Sequence, residues 1–411
     1  MSIVDPKLNR PTRRAALSSA PAIVPRRNRR LWLFKGALCL FSFALALGGV
    51  ELAGRVIGHD FKQQRAKFTQ VPIYYRQAVV PVGPAFYHRP GPDVWRGRIL
   101  NQFLALQHVS GNPYPDEPEI EVTYDADGFR NPLDLTDWDV VIAGDSFTEA
   151  GYLAYEDLFT SQLAQQTGLR VRNLGQSGTG TIYQNCLLEH FGVSPSTKHA
   201  VIAYYEGNDP TETLYEHGLL RDALAQHVDP QSRPNALDLL PKQTSFLRAI
   251  YDRATTPTPQ PESHCHAYYI HGQQRVPLSI YSVPIKFADL AAEAPQVSEQ
   301  ALADFVTFCR AHEITPWLVY LPSKIRVLPG YLEVVPGYEH LLTWDMGDIR
   351  ERIQAICQRQ NIAFIDTTPA LRDSVEQGHW PFNTIYDTHL NATGSHCVGR
   401  VLAATLGDVV K

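Results

Sequence analysis

Apolar residues are distributed along this chain in distinct regimes. From Leu31 to Val50 the run LWLFKGALCLFSFALALGGV is broken only by Lys35. About 20 such residues span a bilayer, and a lysine near one end snorkels its amine to the interface. From 61 to 135 no period holds. Segments such as PVGPAFYHRPGPD and SGNPYPDEPE are irregular, and IEVTYDADGFR is a short strand-like piece turning at Asp127-Gly128. From Trp138 onward, short strand-like runs, the first of them nearly continuously apolar, alternate with runs of helical spacing. DVVIAGD precedes LFTSQLAQQTG, and LRVRNLG precedes TIYQNCLLEHFG; HAVIAYYEGND follows. ITPWLVYLPSK and NIAFIDTT come after the helical runs SEQALADFVTFCRAHE and DIRERIQAICQRQ. Strands apolar throughout are covered on both faces, and intervening helices make neighbouring strands parallel. The pattern predicts an α/β fold: three α/β/α layers around a mostly parallel sheet, behind one N-terminal transmembrane helix.

The same reading divides the chain into a disordered basic tail (1–30), an anchor (31–58), a Pro/Gly/Tyr-rich lead-in (59–137) and an α/β domain (138–411). Within that domain the strand–helix rhythm is lost between Pro210 and Gln296, which predicts an insertion at about 210–296, a rim or lid over the site. Arg10, Arg13, Arg14, Arg26, Arg27, Arg29 and Arg30 precede the apolar run and Glu51 follows it. Positive charge on one flank predicts a cytoplasmic N-terminus, with the α/β domain periplasmic or extracellular. Ala46-Leu47-Gly48 offers a signal-peptide cleavage pattern, but the long basic flank and the helical continuation VELAGRVIGHDF favour an uncleaved anchor.

Composition narrows the chemistry only a little. Charged residues make up 19% and the net charge is −5, which argues against a nucleic-acid partner bound through phosphate neutralisation. Beyond Cys39 the cysteines are Cys186, Cys265, Cys309, Cys357 and Cys397, an odd set with no framework spacing. No protein partner is indicated.

Open parallel sheets carry their sites beyond the carboxyl ends of the strands. GDSF, GQSG and EGND all fall there. In GDSF, Asp145 and Ser146 are either a turn capping a helix that begins near Leu153, or a presented nucleophile. A serine nucleophile needs a base, an orienter for it, and donors for oxyanion charge. His389 in IYDTHLNATGSH is the candidate base and Asp387 its orienter; the bland alternative is a loop with Asn391 or Thr393 capping the next helix. Gly178 in NLGQSGTGT, Asn208 in EGND and the Ser146 backbone N–H are the candidate oxyanion donors. The glycines do not form GxGxxG, no lysine makes a phosphate loop, and GDSFT is not the GxSxG elbow. No cofactor is expected. SHCHAYYIH gathers His264, Cys265, His266 and His271, but a solvated histidine-rich loop is expected there and no metal site.

The blocks GDSFTEAG, NLGQSG, EGND and YDTHLNATG, in that order, resemble the SGNH or GDSL-type hydrolase superfamily. The resemblance runs from Asp139 to the C-terminus. It implies Ser146 as nucleophile, Gly178 and Asn208 as oxyanion donors, and Asp387 with His389 as the acid–base pair. The anchor ending in VELAGR and the DADGFR segment resemble membrane-bound bacterial members. Two features depart from the usual pattern. Many members carry D-x-x-H, whereas Asp387-Thr388-His389 is similar to the D-x-H pair of alginate O-acetylation proteins, which implies acyl transfer as an alternative. Glu206 stands where GGND has its first glycine, and is expected to alter the rim of the site and its charge.

The expected activity is hydrolysis of an acyl ester, an acetyl ester first of all, through an acyl-serine. Its substrate would be a small-molecule or polysaccharide ester at the cell envelope. O-acyl transfer to a polysaccharide and a non-catalytic carbohydrate-binding or assembly role are the alternatives. Tyr74, Tyr75, Tyr87 and Trp95 of the lead-in are candidates to line an acceptor groove, with ordinary packing the favoured reading.

Overall fold

The structure, a computed structural model, describes residues 29–56, 78, 80–100, 117–228, 265–280, 283–383 and 387–407. The chain divides into two compact units, one within residues 1–61 and 242–250, the other comprising the rest. Among the described residues the first unit holds helix α1 (Arg29–Val56). Its segment Trp32–Ala53 is 22 residues long, apolar and unburied, and is long enough to cross a membrane. At 1.5 Å per residue it reaches roughly 33 Å, against a hydrocarbon core of about 30 Å.

The second unit is built on five parallel strands: β5 (Val140–Gly144), β6 (Val171–Gly175), β7 (His199–Tyr205), β10 (Thr315–Leu321) and β12 (Ala363–Asp366), in the order β12-β10-β7-β5-β6. The α/β expectation is met, and the alternation of side chains shows why the strands read as continuous apolar runs. Val141, Ala143, Ile202, Tyr204, Leu318 and Tyr320 face one layer of helices. Val140, Ile142, Val201, Ala203, Val319 and Leu321 face the other. Helices α4 (Thr181–Phe191), α6 (Ala294–Ala311) and α8 (Ile349–Gln360) bury Leu187, Leu188, Leu302, Phe305, Ile353 and Ile356 on the first face. Helices α3 (Phe159–Thr167), α9 (Thr368–Glu376) and α10 (Ala392–Gly407) bury Leu163, Leu371, Val375, Val398 and Leu402 on the second. Each such side chain contributes roughly 1.5–3 kcal/mol through burial, so both layers are required to offset the cost of ordering the sheet.

The lead-in is more regular than its composition suggests. β1 (Val80–Pro81) pairs with β2 (Tyr87–His88), and β3 (Asp93–Gly97) with β4 (Ile120–Tyr124), both antiparallel. Trp95 packs inside on Ile99, Val122 and Tyr124, while Tyr87 is exposed; Tyr74 and Tyr75 lie outside the described residues. The rhythm predicted to vanish at Pro210 continues as helix α5 (Asp209–Val228). Pro210 falls in the first turn, where its missing N–H costs nothing. Further on, β8 (Ala267–His271) and β9 (Gln274–Leu278) form a hairpin extended by β11 (Leu332–Val334). Tyr269 of β8 is fully buried and donates its hydroxyl to the Val375 carbonyl at 3.1 Å. This part of the predicted insertion is therefore a sheet packed on α9, while residues 229–264 lie outside the described set. None of the six cysteines forms a disulfide.

Candidate active site

β5 ends at Gly144, and the polar residues that follow are spent on a turn. Asp145 is fully buried and caps the single-turn helix α2 (Ser146–Glu149), its Oδ1 accepting the Phe147 N–H at 2.9 Å. A carboxylate in this place satisfies an otherwise orphaned helix N–H. The cap thus serves a turn beginning at Ser146 itself, not a helix near Leu153. Burial raises the Asp145 pKa to about 6, with the Phe147 N–H, His389 and the Asn208 side chain opposing the rise. Ser146 is left half-buried on the first residue of α2.

A segment 243 residues away meets it. His389 Nε2 lies 2.7 Å from Ser146 Oγ. On the other side of the ring, Nδ1 lies 2.6 Å from Asp387 Oδ1, which also accepts the His389 backbone N–H at 2.7 Å. An ionised carboxylate only accepts, so it requires the proton on Nδ1 and leaves Nε2 free to accept the serine O–H. The imidazole is flanked by Phe147 and Tyr152, with ring centres 4.8 and 5.0 Å away. Burial works against the imidazolium, but the charge and hydrogen bond of Asp387 prevail and raise the His389 pKa above its ordinary 6.5. Burial likewise disfavours the Asp387 carboxylate, yet His389 and Lys324 hold its pKa below the usual value.

Lys324 was not anticipated. It is fully buried at the start of α7 (Lys324–Val327) and donates from Nζ to the backbone carbonyls of Asn383, at 2.8 Å, and of Asp387. Asn383 Nδ2 in turn donates to Asp387 Oδ2 at 3.3 Å. Burial pushes the Lys324 pKa down to about 7 against the pull of Asp387. The one available signal was its place in LPSK, directly after an apolar strand, where the other polar blocks of the site also fall.

Gly178 and Asn208 stand beyond the ends of the strands flanking β5, since Gly144 is in register with Gly175 of β6 and Ala203 of β7. Gly178 is exposed with φ +74, and a Cβ there would touch nothing within 4 Å. Its backbone conformation, not crowding, calls for glycine. Asn208 is half-buried before α5, and its carbonyl accepts the N–H groups of Thr211 and Glu212, each at 2.9 Å. Ser146, His389 and Asp387 are thus in hydrogen-bond contact, whereas Gly178 and Asn208 are brought to the same sheet edge.

Glu206 corrects an expectation. It is not at the rim but fully buried, accepting from Ser323 N–H at 2.8 Å, Ser323 Oγ–H at 2.9 Å, Arg326 Nε–H at 2.7 Å and the Tyr320 hydroxyl. Its charge is neutralised in place by Arg326. In the histidine-rich stretch, His264 lies outside the described residues, Cys265 Sγ donates to the Ala267 carbonyl at 3.3 Å, and His271 Nε2 lies 3.1 Å from the Glu376 carbonyl. His266 stacks on Tyr338 and bonds the Ile280 backbone. Among the described residues no group of three or more His, Cys, Asp or Glu is arranged to hold a metal. Asn391 does cap α10, its Oδ1 accepting the Gly394 N–H at 3.1 Å, so the late block serves both the helix start and the site.

The model of the GDSL-like lipase/acylhydrolase family matches residues 142–397, which include the Ser146 turn and the Asp387–His389 block. The chain belongs to this family. Membership supports an enzyme of ester hydrolysis. Comparison with curated proteins yields no match. Among solved structures, a member of the lipolytic protein G-D-S-L family from Veillonella parvula DSM 2008 is 12% identical, with a TM-score of 0.31 over 66% of this chain and 97% of that one. The acetylxylan esterase Axe2 from Geobacillus stearothermophilus is 11% identical, with a TM-score of 0.34 over 66% and 94%. The esterase EstA from Pseudoalteromonas sp. is 12% identical, with a TM-score of 0.31 over 67% and 99%. At such scores the family match carries the assignment of this GDSL-like protein.

Proposed function

We propose that this GDSL-like protein hydrolyses an acyl ester through an acyl-serine on Ser146. Ser146 Oγ attacks the ester carbonyl carbon while its proton passes to His389 Nε2. Negative charge collects on the carbonyl oxygen, which accepts from the backbone N–H groups of Ser146 and Gly178 and from the Asn208 amide. The carbon–oxygen bond of the alcohol then breaks and His389 returns the proton to the leaving oxygen. Water attacks the acyl-serine with the same base, releasing the acid and restoring Ser146. Asp387 holds the tautomer and supports the transient imidazolium. The observation that carries this reading is the 2.7 Å approach of His389 Nε2 to Ser146 Oγ, with Asp387 at 2.6 Å behind it.

The substrate in this reading is an acetyl ester on an envelope or extracellular carbohydrate. The apolar 22-residue helix and the arginine-rich flank support a single-pass anchor with the catalytic unit outside the cytoplasm. A sugar hydroxyl in place of water would give O-acyl transfer from the same intermediate.

The test is acetate release from a panel of acetylated glycans by the full-length protein in detergent, beside Ser146→Ala, with the mass of an added acceptor recorded. Release should fall at least about 10³-fold in Ser146→Ala. Acetyl appearing on the acceptor would move the assignment to transfer. Equal release by both proteins would overturn the serine mechanism.

A further inference from the structure

Glu149 closes the GDSFTE block, and none of the steps above uses it. It is fully buried, in a place where an unpaired carboxylate would be costly. Its Oε2 accepts the Ser177 N–H at 2.6 Å, the Ser177 Oγ–H at 2.6 Å and the Arg89 guanidinium at 2.9 Å. Its Oε1 accepts the Tyr124 hydroxyl at 2.9 Å. Arg89 and Tyr124 come from the lead-in, and Ser177 immediately precedes Gly178. One side chain therefore joins the nucleophile turn, the glycine block and the lead-in.

The surroundings press these segments together. A Cβ on Gly175 would lie 2.2 Å from the Glu149 nitrogen, so the end of β6 rests directly on α2. Arg130 of the lead-in donates to the carbonyls of Ala150 and Leu153, each at 2.8 Å, fixing the chain just beyond Glu149. By contrast, nothing within 4 Å would meet a Cβ on Gly178. The space beside its Cα is open, so its chain neighbours orient its peptide. On one side is Ser177, held by Glu149; on the other is Thr179, whose hydroxyl donates to the Gln176 carbonyl at 2.8 Å.

We propose that Glu149 is a positioning residue: its carboxylate fixes Ser177, and through Ser177 aims the Gly178 N–H at the oxyanion. This rests on the reading of Gly178 as an oxyanion donor. Bonds to a buried charge are short and strong, so the joint resists the small displacements to which catalysis is sensitive. A shift of about 1 Å in a positioned group costs roughly 10²-fold in rate.

The experiment measures kcat and KM for 4-nitrophenyl acetate, with thermal unfolding, on full-length Glu149→Gln, Ser177→Ala, the double variant and Ser146→Ala. Glu149→Gln should lower kcat by about 10- to 100-fold with KM within about twofold. Ser177→Ala, which keeps the backbone bond, should lower kcat less. The double variant should be no worse than Glu149→Gln alone, because both changes act at one joint. A purely structural glutamate would lower the unfolding temperature and leave kcat per folded molecule unchanged; that result, or additive losses, would overturn the proposal. If Glu149→Gln does not fold, Ser177→Ala decides: wild-type kcat overturns the proposal, and a lower kcat at unchanged KM supports it. Full turnover by Ser146→Ala would instead overturn the serine mechanism, and this inference with it.

Discussion

Ser146 sits just beyond the end of β5, and the groups that hold its turn lie within the turn itself or on the neighbouring strand β6. His389 sits on a late segment whose orienting carboxylate is tied down by a lysine from another element. On the Ser146 side the ties are mostly to backbone: Asp145 takes the Phe147 N–H, and Asn173 Nδ2 donates to the Thr148 carbonyl at 2.9 Å. On the His389 side, the buried Lys324 amine gathers the carbonyls of Asn383 and Asp387. The first arrangement follows almost automatically once the parallel strands are in register. The second depends on side chains, Lys324 together with Asn383, reaching a segment the sheet does not hold. The difference predicts where the site is easiest to break.

Asp387→Asn removes the acceptor that fixes the imidazole tautomer while preserving shape. Turnover of an acetyl ester near neutral pH should fall about 10⁴-fold, with the unfolding temperature little changed. A loss of less than about tenfold would mean that His389 is oriented by something else. Lys324→Met keeps the stem and removes the ammonium, leaving two buried carbonyls without that donor. We expect kcat to fall about 10- to 100-fold as Asp387 drifts, and stability to fall by roughly 1–3 kcal/mol for each carbonyl left unsatisfied. Wild-type kcat in this variant would remove the contrast between the two halves.

The smallest effect is a displacement of the pH profile. In the proposed mechanism only neutral His389 takes the serine proton, so kcat/KM should decline as pH falls through the His389 pKa. Asp387 raises that pKa, placing the midpoint of the acid limb above 6.5. Asp387→Asn should move the limb of the residual activity to lower pH. The same raised pKa makes this histidine's contribution to folding greatest below its unfolded value, and that contribution is lost as pH rises through the folded one. A limb below 6.5 in the native protein would contradict the Asp387–His389 coupling.

Much of this architecture is legible without coordinates. VVIAG and HAVIAYY are apolar throughout because both faces of each strand are covered, and this signal is local. The polar blocks after the strands were visible for the same reason: an apolar strand that ends on Gly-Asp-Ser stands out against its own pattern. Helix α5 was hidden because Pro210 reads as a breaker in the sequence yet occupies the permissive first turn. The β8–β9 hairpin was hidden because its flanks are rich in proline and histidine, although Ala267 and Tyr269 are fully buried.

What the chain determines by itself is therefore its periodicity, and with it the parallel sheet, the apolar N-terminal helix and the set of residue types available for acyl chemistry. What only tertiary structure decides is direction and partnership. Glu206, in the same block as Asn208, turns inward to Arg326 and Tyr320, and no spacing distinguishes that from a place on the rim. Arg89, Tyr124, Glu149 and Ser177 converge from separate segments, as do Lys324 and the Asn383–Asp387 stretch. Periodicity arises from a strand or helix meeting one environment along its length, so it is written in neighbouring residues. A buried charge takes its partners from wherever the fold brings donors within about 3 Å, and that distance is set by packing across the whole unit.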